Sequence, residues 1–259
     1  LVRKSATGNL RNIQHLIDDI EIHEKKFFIH RGDLLDVTSL YRVISEVNPD
    51  EIYNEADQHH VGWSYDMVGY SSEITAAAVA KILEIIQQIN PSIKYFQPCT
   101  SNMFGITDTK FQDEVTVFNP QSPYAIAKTF AYYVTRYYRE SYGMHASVGI
   151  LFNHESPRRT PEYVTRKISQ SVARIFLKKQ DKLFLGDLSA EIDWGYAPEY
   201  MECAWRILQS DKADDYIIAT GKAHSVLEFV EEAFTRVDLD YKDYVETDSS
   251  LLRPTKTSP

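Results

Sequence analysis

The chain has 259 residues, of which 43% are hydrophobic and 25% charged, as in ordinary globular proteins with a sizeable core. Its net charge of −9 argues against non-specific binding to nucleic acid and against attraction to anionic membranes, and we expect neither partner. No apolar run has transmembrane length and no signal peptide is recognisable. Cys99 and Cys203 are too few for a disulfide framework or a zinc site, so we expect reduced cysteines, no metal and a cytoplasmic location.

Short apolar runs alternate with segments of helical periodicity along the first 152 residues. We expect strands at residues 1–2, 26–30, 51–54, 93–99 and 145–152, helices at 37–47 and 123–142, and a long helix within 65–90 that ends before Pro91. This alternation, without hairpin signals, predicts an α/β fold with a doubly wound parallel sheet. Beyond residue 152 we expect helices near 161–178, 198–209 and 225–236 and short strands near 182–185 and 215–218, which predict a smaller α+β lobe.

Polar side chains follow five of the predicted strands, at the edge where such sheets bind ligands. They are found at residues 3–4, 33–34, 56–60, 100–102 and 153–159. Five polar strand ends in succession predict a binding site along this edge of the sheet.

Residues 121–128 read Q-S-P-Y-A-I-A-K and predict the start of a helix, with Ser122 as N-cap and Pro123 at the first helical position. Tyr124 and Lys128 then lie four residues apart on one face. An ammonium beside a phenol stabilises the phenolate, which makes a tyrosine usable for proton transfer near neutral pH. The alternative is an ordinary surface pair, but the neighbouring polar strand ends favour catalysis.

Eight segments together resemble the GDP-mannose 4,6-dehydratases, which are extended short-chain dehydrogenase/reductase enzymes. They are G-D-L (32–34), D-E-I-Y-N (50–54), T-S-N-M-F-G (100–105), S-P-Y-A-I-A-K (122–128), G-I-L-F-N-H-E-S-P-R-R (149–159), V-T-R-K-I (164–168), D-W-G (193–195) and I-A-T-G (218–221). The resemblance covers nearly the whole chain. The family's first strand with its glycine-rich turn is absent, and the family continues beyond Pro254, so we expect a truncated sequence.

The resemblance implies a Rossmann-type dinucleotide-binding domain at residues 1–152 and a lobe at 153–259 that mainly binds the nucleotide sugar. It implies NADP as cofactor and conversion of GDP-mannose into GDP-4-keto-6-deoxymannose by internal hydride transfer and loss of water. Tyr124 would accept the proton of O4, Lys128 would lower the pKa of Tyr124 and bind the nicotinamide ribose, and Thr100 would polarise O4.

The family's base for the elimination is a glutamate, and its position here is Asn102. An amide cannot accept this proton at neutral pH. Three alternatives stay open: an inactive relative that binds NADP or a nucleotide sugar, a deliberate substitution, or an epimerase or reductase that uses only redox chemistry at C4. Glu55 or Asp57 would serve as a replacement base only on the correct face of the sugar, and we do not expect it.

The resemblance implies a further set of ligand contacts. Arg3 would meet the 2′-phosphate of NADP, and Asp33 with Leu34 would meet the adenine. The remaining cofactor positions are Ala56, Tyr70, Tyr124, Lys128, His154 and Arg159, and those for the nucleotide sugar are Thr100, Asn153, Lys167, Gly186 and Arg253. Ile192 replaces a family arginine and Lys256 an acid, which puts the preference for GDP in question.

The loop at residues 55–61 and an aromatic-rich helix complete the predictions. Glu55 and Asp57 are charges new to the family pattern, and we expect either partners for both or a shifted loop. His59 and His60 are ordinary polar loop residues rather than metal ligands. The aromatic residues Trp194, Tyr132, Tyr133, Tyr137 and Tyr138 predict a subunit interface, and hence a homodimer or homotetramer.

Overall fold

The computed structural model describes residues 1–3, 10–109 and 111–252. The chain forms two compact units that are interleaved in sequence. Unit 1 contains Leu1–Cys99, Ser122–Gly149 and Arg206–Tyr216, and unit 2 contains Thr100–Gln121, Ile150–Trp205 and Ile217–Pro259. The assignment of separate ligands to residues 1–152 and 153–259 stays a prediction.

The elements alternate along the chain as the sequence pattern indicates. The strands are β1 (Glu51–Tyr53), β2 (Lys94–Thr100), β3 (Ala146–Leu151), β4 (Asn153–Glu155), β5 (Leu183–Leu185), β6 (Glu191–Tyr196), β7 (Asp215–Ile218), β8 (Ala223–Ser225) and β9 (Val245–Thr247). The α-helices are α1 (Gln14–Ile17), α2 (Val37–Val47), α3 (Val61–Asp66), α4 (Val68–Ser71), α5 (Ala78–Ile89), α6 (Pro123–Tyr142), α7 (Val164–Phe176), α8 (Ala197–Leu208) and α9 (Val226–Thr235).

A four-stranded sheet has the order β1-β2-β3-β7. β1 and β2 pair in parallel, with Ile52 opposite Tyr95. β3 is buried along its whole length, and β2 is buried except at its first residue. Strands that are covered on both faces in this way are typical of α/β proteins with helices on each side of the sheet. The α/β prediction is confirmed.

The ends of α2 and α6 agree with the predicted bounds because local chemistry fixes them. Asp36 accepts a hydrogen bond from the N–H of Thr38 at 3.1 Å and begins α2. Ser122 accepts one from the N–H of Ala125 at 3.1 Å, with Pro123 at the first helical position of α6. α6 ends at Gly143, whose φ of 66° favours glycine. None of the described helices is long and apolar enough to cross a membrane.

One predicted helix is confirmed with a local irregularity, and one predicted strand is wrong. The long helix expected within residues 65–90 is a continuous helical run from Val68 to Ile89 that ends before Pro91 and consists of α4, a π-helical turn at Ser72–Ala77, and α5. Met67, with φ −128° and ψ 53°, separates the short helix α3 from this run. The strand expected at 26–30 is wrong: among the described residues this region makes isolated β-bridges, His23 with Phe27 and Val2 with Arg31, and no continuous ladder.

Unit 2 contains two small sheets, of order β4-β6-β8 and β5-β9. The sequence pattern does not predict β6, nor the strands β4, β8 and β9, which have three residues each. The helices α7 and α9 pack on this unit's own apolar core, which comprises Ile168, Val172, Ile175, Leu183, Leu185, Val226, Val230 and Phe234. Asp193 on β6 is buried and accepts hydrogen bonds from Thr220 Oγ1 at 2.6 Å and from the N–H of Gly221 at 2.8 Å, which ties β6 to the segment before β8.

Candidate active site

The buried face of α6 carries Tyr124 and Lys128, one turn apart. Lys128 Nζ lies 5.8 Å from the centroid of the Tyr124 ring. The N–H of Tyr124 donates to Ser64 Oγ at 3.3 Å, which ties the start of α6 to α3. The two residues are therefore held together inside unit 1, rather than on the solvent-facing side of the helix where a simple surface pair would lie.

Lys128 is fixed by two acceptors. Its Nζ donates to the carbonyl oxygen of Pro98 at 2.7 Å and forms an ion pair with Asp57 Oδ2 at 2.5 Å. Burial by itself would lower the pKa of Lys128, but the charge of Asp57 outweighs burial and raises it. The lysine is therefore a permanent cation with one N–H still available to a ligand.

Asp57 was expected to need a partner, and the structure gives it two. Besides Lys128, its second oxygen lies 3.5 Å from Nδ1 of His59. Burial opposes ionisation of Asp57, but Lys128 and His59 hold its pKa below the ordinary value. Glu55 is exposed, and among the described residues the structure gives it a longer-range attraction to Lys128, while partial loss of hydration raises the pKa of Glu55. The expectation of partners is therefore confirmed for Asp57 and not for Glu55.

Thr100 and Asn102 form a local unit at the end of β2. Thr100 Oγ1 accepts hydrogen bonds from the N–H of Asn102 at 3.3 Å and from Asn102 Nδ2 at 3.0 Å. A hydroxyl has two acceptor lone pairs, so both are used. The O–H proton of Thr100 is then left to donate to another group. Both residues lie in unit 2, whereas Tyr124 and Lys128 lie in unit 1.

Two of the predicted cofactor residues of unit 1 are in contact. Arg3 Nη1 donates to the hydroxyl of Tyr70 at 3.2 Å, and both side chains reach the surface. Asp33 folds back on its own loop, where Oδ1 accepts from the N–H of Leu35 at 3.0 Å. Leu34 is half-buried and Ala56 is exposed. A guanidinium at an open position suits a phosphate dianion.

The predicted cofactor residues of unit 2 are held by its own side chains. His154 stacks on Tyr200 with ring centroids 4.8 Å apart, and its Nδ1 lies 3.0 Å from the carbonyl oxygen of Phe152. Arg159 lies over the Tyr163 ring, 3.4 Å from the centroid, and 3.2 Å from Glu155. The Glu155 contact already balances the arginine charge, which leaves Arg159 a weaker anion ligand than its sequence position indicates.

The predicted sugar-nucleotide residues Lys167 and Gly186 are both close to β5: Lys167 contacts its middle residue, and Gly186 follows its last residue. Lys167 Nζ donates to the carbonyl oxygen of Phe184 at 2.6 Å, and burial lowers the pKa of Lys167. A Cβ at Gly186 would come within 3.0 Å of the carbonyl oxygen of Leu251, so only glycine fits there without a shift. Asn153 is exposed on β4, and Arg253 lies outside the described residues.

Two residues that the sequence analysis singled out have structural roles. Ile192 packs against the apolar core of unit 2, where the family's arginine would have brought a charge. His60 caps α3, with Nδ1 accepting from the N–H of Trp63 at 3.2 Å.

Within residues 1–3, 10–109 and 111–252 no group of three His, Cys, Asp or Glu side chains is placed to hold a metal ion.

A cavity of about 340 Å³ opens at the amino-terminal ends of β1 and β2. Its lining includes Asp50, Glu51 and Lys94 and none of the predicted site residues. Ligands of such sheets bind at the opposite, carboxyl-terminal edge, so this cavity is not the candidate active site.

The fold is shared with solved structures. A UDP-N-acetylglucosamine 4-epimerase from Methanobrevibacter ruminantium, in complex with UDP-N-acetylmuramic acid, is 20% identical with a TM-score of 0.82, over 98% of this chain and 77% of that one. RMD from Pseudomonas aeruginosa, complexed with NADPH, is 21% identical with a TM-score of 0.78, over 85% of this chain and 73% of that one. These similarities establish the extended Rossmann-type fold.

The sequence comparisons are more specific. The family profile described as GDP-mannose 4,6 dehydratase matches residues 1–258. GDP-mannose 4,6 dehydratase 1 from Arabidopsis thaliana is 42% identical over 261 residues, which cover 99% of this chain and 72% of the relative. The resemblance of the eight segments is confirmed at the level of the whole chain, and the chain belongs to the GDP-mannose 4,6-dehydratase family.

Proposed function

We propose that the protein is a GDP-mannose 4,6-dehydratase, a hydro-lyase that converts GDP-mannose into GDP-4-keto-6-deoxymannose. The observation that carries this is the buried pair of Tyr124 and Lys128 on α6, in a chain 42% identical to a GDP-mannose 4,6 dehydratase along almost its full length. A binding protein has no need of a phenol held beside a buried cation.

Tyr124, Lys128 and Thr100 each have a separate role in the oxidation at C4. Tyr124 accepts the proton of the O4 hydroxyl, and Lys128 stabilises the phenolate that this requires. Thr100 donates its remaining O–H proton to O4, because Asn102 occupies both of its acceptor sites. This hydrogen bond strengthens as negative charge develops on the oxygen.

NADP fits the donor set, and we propose it as the cofactor. Arg3, placed beside Tyr70 at the surface of unit 1, would bind the 2′-phosphate, and the third N–H of Lys128 would bind the nicotinamide ribose. NADP, when bound, supplies the group that takes up and later returns the hydride. The structure of the Pseudomonas aeruginosa relative, which carries NADPH, supports the same choice.

The elimination step lacks the base that the family pattern leads us to expect. The Asn102 side chain is an amide that donates to Thr100, so it has neither the charge nor the orientation of a proton acceptor. Asp57 is committed to Lys128 and cannot replace it without breaking a buried ion pair. We therefore expect loss of water to be slow relative to oxidation at C4.

The proposal is tested by mass spectrometry of GDP-mannose after incubation with the full-length protein and NADP. We expect loss of one water from the sugar, and we expect Tyr124→Phe to lower the rate by about 10²- to 10⁴-fold, because the proton acceptor is gone. A C4-oxidised or epimerised sugar without water loss would instead support the epimerase or reductase. Bound NADP without any change in the sugar would support the silent relative.

We propose a homodimer formed through the exposed side of α6, with a homotetramer as the alternative. Phe130, Tyr133 and Tyr137 are each about half exposed there, which is unusual for large aromatic side chains at successive turns. The sequence pattern also predicts Tyr132 and Trp194 at this interface, and the structure differs. The Tyr132 hydroxyl donates to Asp215 Oδ2 at 2.7 Å, and Trp194 packs on Phe229, so neither belongs to this surface. Sedimentation should give a dimer, and Tyr133→Glu should give monomers. A monomeric wild-type protein would refute the assignment.

The remaining partner and location assignments follow from this function. The partner is a nucleotide-sugar substrate, with GDP-mannose as our choice. A cytoplasmic location stays a prediction, supported by Cys99 and Cys203, neither of which is in a disulfide.

A further inference from the structure

The loop after β1 places a carboxylate directly on the lysine of the candidate active site. Asp57 Oδ2 lies 2.5 Å from Lys128 Nζ, with side-chain exposures of 9% and 5%. At this depth water screens the pair poorly, so each charge opposes the field of the other at their neighbours. Asp57 therefore weakens the field of Lys128 at neighbouring groups, among which is the Tyr124 ring, 5.8 Å from Nζ.

The geometry also prevents the lysine from turning away from Asp57. Nζ donates to the carbonyl oxygen of Pro98 at 2.7 Å on the last buried part of β2. Two of its three N–H groups are thus directed at fixed acceptors from different elements. A movement that brought Nζ closer to Tyr124 would break one of these two buried contacts.

We propose that Asp57 is a positioning residue that offsets part of the charge of Lys128, so that Tyr124 forms a phenolate only at higher pH than a Tyr–Lys pair alone would allow. The inference rests on the proposed function in one respect, the role of Tyr124 as proton acceptor. It adds a residue that the family pattern does not predict, because the charge at position 57 is new to that pattern.

The other titratable groups around the pair include Glu55, Cys99, Tyr95 and His59. Glu55, from the same loop, brings a second carboxylate within electrostatic reach of Lys128. Cys99, at the end of β2, stays protonated because burial raises the pKa of its thiol to about 12. Burial likewise raises the pKa of Tyr95 on β2. His59 Nδ1 lies 3.5 Å from Asp57 Oδ1, whereas Lys128 contacts Oδ2, and the His59 side chain is 56% exposed.

The test is a pH titration of Tyr124 in the full-length protein, followed by the near-ultraviolet absorbance of tyrosinate. Subtracting the spectrum of the Tyr124→Phe counterpart isolates this phenol from the other tyrosines. We expect the wild-type midpoint to lie well above neutral pH, because Asp57 offsets part of the Lys128 charge. We expect Asp57→Asn to lower this midpoint by about one pH unit, a tenfold change in the phenolate population at a fixed lower pH.

Two control variants make the result specific. Glu55→Gln removes a more distant carboxylate and should lower the midpoint by less, and His59→Gln should leave it unchanged because the Lys128 contact persists. An unchanged midpoint in a folded Asp57→Asn protein would overturn the proposal. If that variant does not fold, the titration of the wild type tests the proposal by itself. A Tyr124 midpoint near pH 7 would overturn it, because it would show that Lys128 acts with its full charge.

The titration requires neither substrate nor turnover, which separates this inference from the proposed function. A shifted midpoint in a protein that leaves GDP-mannose unchanged would refute the dehydratase assignment and support the role of Asp57. Loss of water from GDP-mannose together with an unshifted midpoint would support the dehydratase assignment and refute the role of Asp57. In an active protein, the low-pH limb of the rate of C4 oxidation should move with the titration midpoint.

Discussion

Replacing Asn102 by glutamate should raise the rate of water loss from GDP-mannose by about 10²- to 10⁴-fold, the usual contribution of a positioned general base. Asn102 lies in the turn Ser101–Met103, two residues after the Thr100 hydroxyl, where the family has its glutamate. A carboxylate there has the charge to accept the C5 proton, which the amide lacks. The measurement is the initial rate of the mass loss of one water in the wild type and in Asn102→Glu.

The matched control is Asn102→Gln, which has the length of glutamate without its charge. We expect Gln to be no faster than the wild type, because added length alone provides no base. The backbone N–H of Asn102, 3.3 Å from Thr100 Oγ1, is retained in both variants, so Thr100 keeps one of its two hydrogen bonds. Equal rates for Glu and Gln would show that the base comes from elsewhere in the chain.

The fold was largely predictable because its larger elements have local signals. The bounds of α2 and α6 follow from Asp36, Ser122 and Gly143, residues whose capping chemistry acts within one turn. The three-residue strands β4, β8 and β9 have no such signal, because three residues are too few to show a period of two. Their pairing is decided by unit 2 as a whole, with Asn153 opposite Trp194 as one example.

The candidate site was predictable as a set of residue types and less so as a set of contacts. The motif around Tyr124 and Lys128 specifies a helix start, and the structure places both on its buried face. The partner of Asp57 is Lys128, 71 positions later, and no local rule connects them. The expectation that a buried carboxylate needs a partner is confirmed for Asp57, but only the packing of the loop after β1 against α6 identifies Lys128 as that partner.

Replacing Lys128 by methionine should lower the free energy of unfolding by about 3–5 kcal/mol, because it leaves Asp57 as a buried charge without its cation. The double variant Asp57→Ala/Lys128→Met should recover most of this loss, since both charges are then absent. Denaturant unfolding of the wild type, Lys128→Met, Asp57→Ala and the double variant measures the coupling between the two residues. Lys25→Met, at an exposed pair with Glu21, is the matched control and should cost about 0.5 kcal/mol or less.

The sign of the pH dependence distinguishes a lost ion pair from lost packing. The pKa of Asp57 is lowered in the folded protein, so its stabilisation is present above the unfolded value of about 4 and is lost as the pH falls through the folded value. The pKa of Lys128 is raised, so its stabilisation is present below about pH 10 and is lost as the pH rises through the folded value. The difference between wild type and Lys128→Met should therefore be largest near neutral pH and shrink in acid, where Asp57 becomes protonated in the variant. A difference that does not change with pH would mean that Lys128 stabilises the protein by packing rather than by its charge.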